Sequence, residues 1–331
     1  MRIRSFLRIA SVVLPVFAAW ALAGCAVNID AFRDYDDPLR ETVLSGEADE
    51  KILVLPIRGV IGLNNDEGLA SRAPSVVQDV TAMLRKAEAD TDVRALLIQV
   101  DSPGGTVVAS DILYGEIMRY RQRTGVAAVT LMMTVAASGG YEASLAGDYI
   151  VAHQSTVTGS IGTVFIRPDV AGLLEKIGVG AEVTKSGRFK DSGSPLRNST
   201  SEEREIFQGM IDDMNGRFLA LVTERRGLDR EALNKVADAR VYTASQAKTL
   251  GLVYALGQAP EALAELRRRA GLSDDAQVVV YRRRSYADDT LYNPATASAQ
   301  GSTPRIDLGF SRFLAVPRTG FYYLWAPEYG H

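Results

Sequence analysis

The chain has very few residues of the kinds that bind metals or form disulfide bonds. It contains one cysteine and two histidines among 331 residues. A single thiol cannot form an intramolecular disulfide, and two histidines without an HExxH motif or a cysteine cluster leave no recognisable metal site. The sequence also lacks a P-loop and a GxGxxG motif that opens a helix. It therefore predicts no metal and no cofactor.

Charge of either sign is not in clear excess. The 37 basic and 40 acidic side chains give a formal net charge of -3. The two signs are interspersed, which excludes the basic patch typical of proteins that bind nucleic acids. Hydrophobic residues make up 47% of the chain, enough to bury a large core. We therefore expect a globular protein with no nucleic-acid partner.

The first 25 residues differ in composition from the rest. Three arginines precede an apolar run that ends in Leu22-Ala-Gly-Cys25. A basic region followed by an apolar run is typical of an export signal, and the last four residues resemble the bacterial lipobox. We expect residues 1–24 to be removed and Cys25 to be lipidated. The alternatives are a plain membrane anchor and an export signal with a chance cysteine.

This leader predicts where the protein resides and how it is organised. The lipid on Cys25 would hold it in a membrane of the bacterial cell envelope, facing the periplasm, and Ala26 favours the outer membrane. Residues 25–50 are polar and acidic and predict a tether, and the body is expected to span residues 51–283. Residues 284–331 begin with a stretch rich in Ala, Ser, Thr, Asp and Pro, which predicts a C-terminal tail.

Short apolar runs alternate with segments of helical periodicity through the body. The runs KILVLPI, VRALLIQV, VAAVTLMM and DYIVAH predict buried strands, and AEVTKS predicts another strand. Residues 76–87 and 108–117 carry apolar side chains at helical spacing. Strands that alternate with helices of 10 to 15 residues predict an α/β fold.

Ser138 stands between a predicted strand and a predicted helix, in the stretch MTVAASGGYEASLAGD. Such a corner can present a hydroxyl for attack, although a plain tight turn is the alternative. A nucleophilic serine needs a base, which is most often a histidine. His331 ends the chain, His153 ends an apolar strand, and no GxSxG motif is present, so a Ser-His-Asp triad is disfavoured.

Lysine is the base that remains. A lysine amine can accept a serine proton only where its surroundings lower its pKa from about 10.4 toward about 7 to 8. Lys185 and Lys190, in VTKSGRFKDSGSP, are the candidates, because they stand at a predicted strand end and in a glycine-flanked loop. The SxxK motif at 245–248 lacks its companion motifs and is more typical of a helix N-terminus.

Four motifs follow one another in a distinctive order. They are Asp101-Ser-Pro-Gly-Gly105, Ala137-Ser-Gly-Gly-Tyr141, Thr158-Gly-Ser-Ile-Gly-Thr163 and Lys185-Ser-Gly-Arg-Phe-Lys-Asp191. This order resembles the signal peptide peptidase A family of serine peptidases, family S49, in its short single-unit form. The resemblance covers roughly residues 50–260.

The resemblance implies a ClpP/crotonase-like fold of repeated β-β-α units and assigns roles to three residues. Ser138 would be the nucleophile, Lys190 the general base, and Ser160 a hydrogen-bond partner of the lysine. The implied substrates are apolar peptides such as remnant signal peptides, cleaved through an acyl-enzyme. Short members are understood to pair the serine of one protomer with the lysine of the next, which implies a ring-shaped homo-oligomer.

The residues themselves add an oxyanion site to this interpretation. The backbone N–H of Gly139 at the helix start can face a developing oxyanion, and Gly104 and Gly105 allow a second N–H to approach. A plain strand-to-helix turn and a capping role for the Ser160 hydroxyl are the alternatives. Two other functions stay open here, a crotonase-like acyl-CoA enzyme and a non-catalytic scaffold lipoprotein of the same fold.

Overall fold

The structure, a computed structural model, describes residues 37–64, 74–293 and 319–325. All of these residues belong to one compact unit. The predicted cleavage and lipidation sites, including Cys25, lie outside the described residues.

The described residues alternate between strands and helices, which confirms the predicted α/β class. The strands are β1 (Arg40–Ser45), β2 (Lys51–Arg58), β3 (Val93–Ser102), β4 (Gly104–Thr106), β5 (Ala127–Ala137), β6 (Tyr149–Ala152), β7 (Val157–Gly159), β8 (Val164–Ile166), β9 (Val241–Thr243), β10 (Ala255–Leu256), β11 (Gln277–Arg282) and β12 (Gly320–Leu324). The helices are α1 (Val76–Glu88), α2 (Val107–Thr124), α3 (Gly139–Ser144), α4 (Ala171–Lys176), α5 (Ser201–Arg226), α6 (Arg230–Val236), α7 (Ala244–Thr249) and α8 (Ala259–Ala270).

The main sheet is mostly parallel, with the strand order β1-β11-β2-β3-β5-β6-β10. Only the β1–β11 pair within this order is antiparallel. A short branch leaves the end of β5, where β7 pairs with β5 in parallel and β9 pairs with β7 in antiparallel. Parallel strands need helical crossovers, and helices therefore cover both faces of this sheet.

The core is divided by the sheet into two apolar layers. Leu53, Leu55 and Ile57 of β2 pack in the layer that contains α1, α2 and α5. Ile52 and Val54 pack in the other layer, which contains α8. Alternate residues of a strand point to opposite faces, so a continuous apolar run is what a strand buried on both faces requires. Each such side chain contributes about 1.5–3 kcal/mol when fully buried.

The carboxyl ends of β3 and β5 meet at one edge of the main sheet. The two strands are parallel neighbours, and Ser102 near the end of β3 pairs with Ala136 near the end of β5. The motifs that follow the two strands, at 101–105 and 137–141, are therefore adjacent. Ligand sites of parallel sheets commonly lie beyond this edge.

A second, three-stranded sheet stands beside this edge, in the order β4-β12-β8. Its central strand, β12, lies within the predicted C-terminal tail and pairs antiparallel with both neighbours. The expectation of a tail outside the body therefore needs correction for residues 320–324. Their alternating aromatic side chains, of which Tyr323 is 1% exposed, pack into the body and offset the entropy of ordering the segment.

Two further expectations need correction. The predicted tether, residues 25–50, includes β1, whose pairing with β11 extends the main sheet at its edge. The predicted strand AEVTKS does not form, because residues 181–186 are exposed and have no neighbouring strand with which to pair. Backbone groups in a strand require such a partner.

Candidate active site

Ser138 occupies the corner between β5 and α3 in a backbone conformation that few residues adopt. Its φ and ψ angles are 53° and -119°. This conformation costs free energy for a residue with a side chain and persists only where the surroundings hold it. Here the Ser138 N–H donates a 2.8 Å hydrogen bond to the carbonyl of Gly159. A strained serine at a strand-to-helix corner is an observation that favours a functional role.

Helix α3 is fixed tightly behind the serine. The Tyr141 hydroxyl donates to the Leu252 carbonyl at 2.9 Å, and its ring is completely buried. Burial raises the pKa of Tyr141. A Cβ on Gly140 would lie 2.4 Å from the Ser102 carbonyl oxygen, so α3 touches the end of β3 directly. Tyr141 is thus a packing residue, and glycine allows α3 to approach β3 this closely.

Gly104 and Gly105 lie against the serine corner, as the sequence predicts. Gly104 has a φ of 102°, and a Cβ there would lie 2.8 Å from the Gly139 nitrogen. The Gly104 N–H already donates to the Ser102 hydroxyl at 3.1 Å. The Gly105 N–H is therefore the better candidate for the second donor, together with that of Gly139.

The TGSIG motif also lies next to Ser138. The Ser138 hydroxyl is 3.5 Å from the Gly162 carbonyl oxygen, at the long limit of a hydrogen bond. Ser160 is nearly buried and has a φ of 51°, held by a hydrogen bond from its N–H to the Arg240 carbonyl. The fold thus brings three of the four motifs together.

The predicted base does not lie beside the serine within this chain. Lys190 is exposed in a turn, where its N–H donates to the Gly187 carbonyl at 3.1 Å. Among the described residues, no hydrogen bond or ion pair involves its amine, and no lysine amine contacts the Ser138 hydroxyl. Lys185, the competitor, forms an ion pair with Asp191 at 2.6 Å.

The turn that carries Lys190 is held by a network of charged side chains. Arg197 bridges Asp191 and Glu203, with N–O distances of 2.8 Å and 2.5 Å. Glu203 also accepts from the Ser192 hydroxyl at 3.0 Å. The Arg197 guanidinium and then the Thr200 N–H lower the pKa of Glu203 to about 2, and Arg197 lowers that of Asp191 as well. Lys190 therefore precedes an anchored carboxylate.

His153 does not serve Ser138. Its Nδ1 accepts a 3.2 Å hydrogen bond from the Ser155 N–H, and it lines a cavity of about 420 Å³ together with Leu131 and Gln258. The SxxK candidate at 245–248 forms the start of α7, where Thr243 and Gln246 make a capping box. This placement is the helix N-terminus that the sequence predicts.

Two features of this region are absent from the sequence-based predictions. The first is Tyr323 of β12, which pairs with Gly105. Its only sequence signal was the aromatic alternation in GFYYLW. The second is the buried carboxyl of Glu142, directly after Tyr141, beside Asp111 of α2. Burial, and then the hydrogen bond with Asp111, hold the pKa of Glu142 well above its usual range.

Comparisons with known proteins identify the family. The model of peptidase family S49 matches residues 121–273, which include Ser138, Ser160 and Lys190. A putative signal peptide peptidase SppA of Enterococcus faecium is 33% identical over 293 residues, covering 86% of this chain and 84% of that protein. Protease 4 of Haemophilus influenzae is 30% identical over 268 residues, which cover 80% of this chain and 42% of that protein.

Among solved structures, ClpP1 from Listeria monocytogenes is similar with a TM-score of 0.40 and 19% identity, covering 63% of this chain and 94% of that one. The relatives named above are peptidases, which confirms the predicted enzyme class. On this evidence the chain belongs to peptidase family S49 and is a serine peptidase.

Proposed function

We propose that the protein is a lipid-anchored endopeptidase in which Ser138 is the nucleophile and Lys190 of a neighbouring copy is the general base. It cleaves apolar peptides, such as remnant signal peptides, in the extended conformation. The observation that carries the proposal is the strained corner at Ser138, flanked by the N–H groups of Gly139 and Gly105. Strain of this kind is characteristic of active sites.

The reaction follows the chemistry of acyl transfer. The Lys190 amine takes the proton of the Ser138 hydroxyl while the oxygen attacks the substrate carbonyl carbon. The peptide C–N bond then breaks, the leaving amine receives that proton, and an ester on Ser138 remains. Water attacks the ester, gives a proton to Lys190, and releases the acyl product as a carboxylic acid. The N–H groups of Gly105 and Gly139 stabilise the oxyanion in both halves.

Ser160 is proposed to orient the lysine. Its motif is fixed to the nucleophile, because the Ser138 N–H donates to the Gly159 carbonyl at 2.8 Å. Among the described residues, the Ser160 hydroxyl has no hydrogen-bond partner of its own. A hydroxyl held in this way can accept a hydrogen bond from an incoming ammonium group. The alternative turn role is supported only by its backbone, which adopts a positive φ.

A base from a second copy agrees with the surface around Lys190. The segment that leads to it exposes large apolar side chains, with Leu173 at 59%, Ile177 at 61% and Val183 at 50%. Contiguous exposed apolar surface is typical of an interaction site. A head-to-tail copy would cover it and bring Lys190 to the neighbouring Ser138. Contacts of this heterologous kind close only as a ring.

The anchor is proposed from the sequence alone. Lipidation of Cys25 would hold the enzyme on the outer face of a bacterial membrane, in the periplasm, with the outer membrane favoured by Ala26. Within the described residues, no helix combines the length and the apolar character needed to cross a bilayer. Residues 26–39 would then connect the lipid to β1.

The experiment that tests the proposal compares hydrolysis of an apolar fluorogenic peptide by the wild type and by Ser138→Ala. The variant is expected to lose at least about 10³-fold in rate, because the acyl-enzyme cannot form. Ser155→Ala, which removes an exposed serine near the end of β6, is the matched control and should retain the wild-type rate. Equal rates for wild type and Ser138→Ala would overturn the assignment.

A further inference from the structure

Strand β12 lies in the active-site region as a bound peptide would. It pairs antiparallel with β4 on one side and with β8 on the other, and the Trp325 N–H donates to the Pro103 carbonyl at 2.9 Å. Peptide ligands commonly bind by adding a strand in this way. Ser138 beside it is only 1% exposed. The chain's own segment therefore occupies the place beside the nucleophile.

The carbonyl group of Tyr323 marks the register of this segment. Its oxygen lies 2.0 Å from the position that a Cβ on Gly104 would take, and the Gly139 nitrogen lies 2.8 Å from the same point. Tyr323 also pairs directly with Gly105. The carbonyl of Tyr323 is thus close to both proposed oxyanion donors. Tyr323 stands in the position of the residue whose carbonyl the serine attacks.

One face of α5 receives the side chains of this segment. Phe207, Met214 and Phe218 are seven and four residues apart, a spacing that places them on the same side of the helix. The Tyr323 ring packs on Phe218 with a centroid distance of 4.7 Å. Two residues earlier, the Phe321 ring lies 6.4 Å from that of Phe207. Alternate residues of the segment therefore face one aromatic wall.

The pocket of Tyr323 also recognises the polar end of its side chain. The Tyr323 hydroxyl donates to the Met214 backbone carbonyl at 2.8 Å. A phenylalanine in this pocket would leave that carbonyl without this donor, which is costly for a buried acceptor. Sites built to bind a hydroxyl discriminate strongly against analogues that lack it.

The charged groups around this pocket leave no place for an anion. Glu142 is buried, and one of its carboxyl oxygens has no partner among the described residues. It interacts with Asp111, which forms an ion pair with Arg217 at 2.7 Å. Burial and these carboxyl groups raise the pKa of Tyr323. A neutral side chain with a donor at its tip satisfies these surroundings.

We propose that the enzyme selects peptides with a tyrosine immediately before the cut bond and an aromatic residue two positions earlier, with Phe218 and Phe207 as the specificity-determining residues. This inference rests on the proposed function, since it takes Ser138 as the nucleophile. The chain's own residues 320–325 carry this pattern and compete with substrate for the groove. An intramolecular competitor of this kind has a high effective concentration.

The test uses four internally quenched peptides that share one backbone and end their acyl side in Phe-Ala-Tyr, Phe-Ala-Phe, Phe-Ala-Leu or Leu-Ala-Tyr. With the wild-type chain, we expect kcat/KM for Phe-Ala-Tyr to exceed that for Phe-Ala-Phe by about tenfold, from the lost hydrogen bond. Phe218→Ala should reduce the preference for Tyr over Leu in the last position. Phe207→Ala should instead reduce the preference for Phe over Leu two positions earlier.

The two variants are controls for each other, because each should alter one preference and leave the other. Equal kcat/KM values for the four peptides, or the same loss in both variants, would overturn the inference. Tyr323→Ser should increase hydrolysis of Phe-Ala-Tyr, since it weakens the internal competitor, and Tyr322→Ser, on the opposite side of the strand, should not. A lower rate in Tyr323→Ser would contradict the competition.

Binding separates failure of this inference from failure of the proposed function. Fluorescein-labelled versions of the four peptides are titrated into the Ser138→Ala, Tyr323→Ser chain and followed by anisotropy. If the wild type cuts no peptide but Phe-Ala-Tyr still binds about tenfold more tightly than Phe-Ala-Phe, the pocket assignment stands and the catalytic proposal falls. If peptides are cut without any binding preference, the pocket assignment falls and the catalytic proposal stands.

Discussion

A side chain on Gly104 would come within 2.8 Å of the backbone nitrogen of Gly139. These glycines follow two neighbouring parallel strands, β3 and β5, so the contact joins the two turns at which the strands end. Real Cβ atoms do not approach a backbone nitrogen so closely, and the turns can meet only because Gly104 has no side chain. The proposed oxyanion donors depend on this contact.

We therefore expect Gly104→Ala to lower kcat/KM by about 10²-fold or more, the usual effect of losing one oxyanion donor. The alanine has to move the Gly139 N–H, the Tyr323 carbonyl or both. Gly125→Ala is the matched control, because Gly125 also has a positive φ but no atom within 4 Å of a new Cβ. It should cost about 1 kcal/mol of stability and leave kcat/KM unchanged. Similar kinetics for the two variants would show that the contact is irrelevant to catalysis.

Lys190→Ala should remove activity, with a loss of about 10²–10⁴-fold in kcat and an unchanged melting temperature. The amine of Lys190 has no structural partner among the described residues, so its removal should not disturb the fold. Lys185→Ala is the control and should be much milder, because Lys185 is paired with Asp191 and only supports the turn. A larger loss in Lys185→Ala would reverse the assignment.

An amine base also fixes the direction of the pH dependence. Only the neutral amine can accept the serine proton, so kcat/KM should rise between pH 6 and pH 9. Stopped-rate assays on one peptide across this range measure it directly. A rate that falls with increasing pH would be inconsistent with a lysine base.

Arg197→Met should loosen the turn that carries Lys190. Arg197 links Asp191 to Glu203, and its loss leaves two carboxylates without their main partner. We expect a stability loss of about 2 kcal/mol at pH 7, the scale of hydrogen bonds to charged groups. We also expect a reduction in kcat of about tenfold. Arg204→Met removes an exposed arginine of α5 that donates to the Ser199 carbonyl and should have little effect.

The pH dependence distinguishes this ionic role from simple packing. The pKa of Glu203 is lowered in the folded state to about 2. Its contribution is therefore fully present above the unfolded-state pKa of about 4.3 and is lost as the pH falls toward 2. The melting temperatures of wild type and Arg197→Met should differ most above pH 5 and converge below pH 3. A difference that is independent of pH would assign Arg197 a packing role.

Cys25→Ser tests the anchor. If the Leu22–Cys25 motif is a lipobox, the variant should accumulate as a slower-migrating precursor without lipid. Metabolic labelling with a radioactive fatty acid in a bacterial host, followed by gel electrophoresis, measures both effects. Wild-type levels of lipid on the Cys25→Ser protein would refute the prediction.

The sequence was most informative where local pattern decides structure. The apolar runs at 51–57 and 93–100 form central strands because strands buried on both faces need continuous apolar sequence. The glycines at 104, 105 and 139 lie together because parallel strands end at the same edge. The order of the motifs was therefore sufficient to predict the surroundings of Ser138.

Long-range pairings could not be predicted in the same way. The pairing of β1 with β11 joins residues more than 230 positions apart, and the pairing of β12 with β4 joins residues more than 210 positions apart. Neither β1 nor β12 carries a pattern that identifies its partner, and the composition around residue 300 resembles a linker. The 52-residue separation of Ser138 and Lys190 likewise does not say which copy of the chain supplies the lysine.

Complementation between two inactive variants tests the shared Ser138–Lys190 site most directly. Ser138→Ala and Lys190→Ala chains, each carrying a different affinity tag, are co-expressed, and mixed oligomers are isolated by two successive affinity steps. Peptide hydrolysis is then measured for the mixed oligomers and for each variant alone. A shared site predicts recovery of a substantial fraction of the wild-type rate, since some interfaces pair an intact serine with an intact lysine. Mixed oligomers as inactive as the separate variants would contradict it.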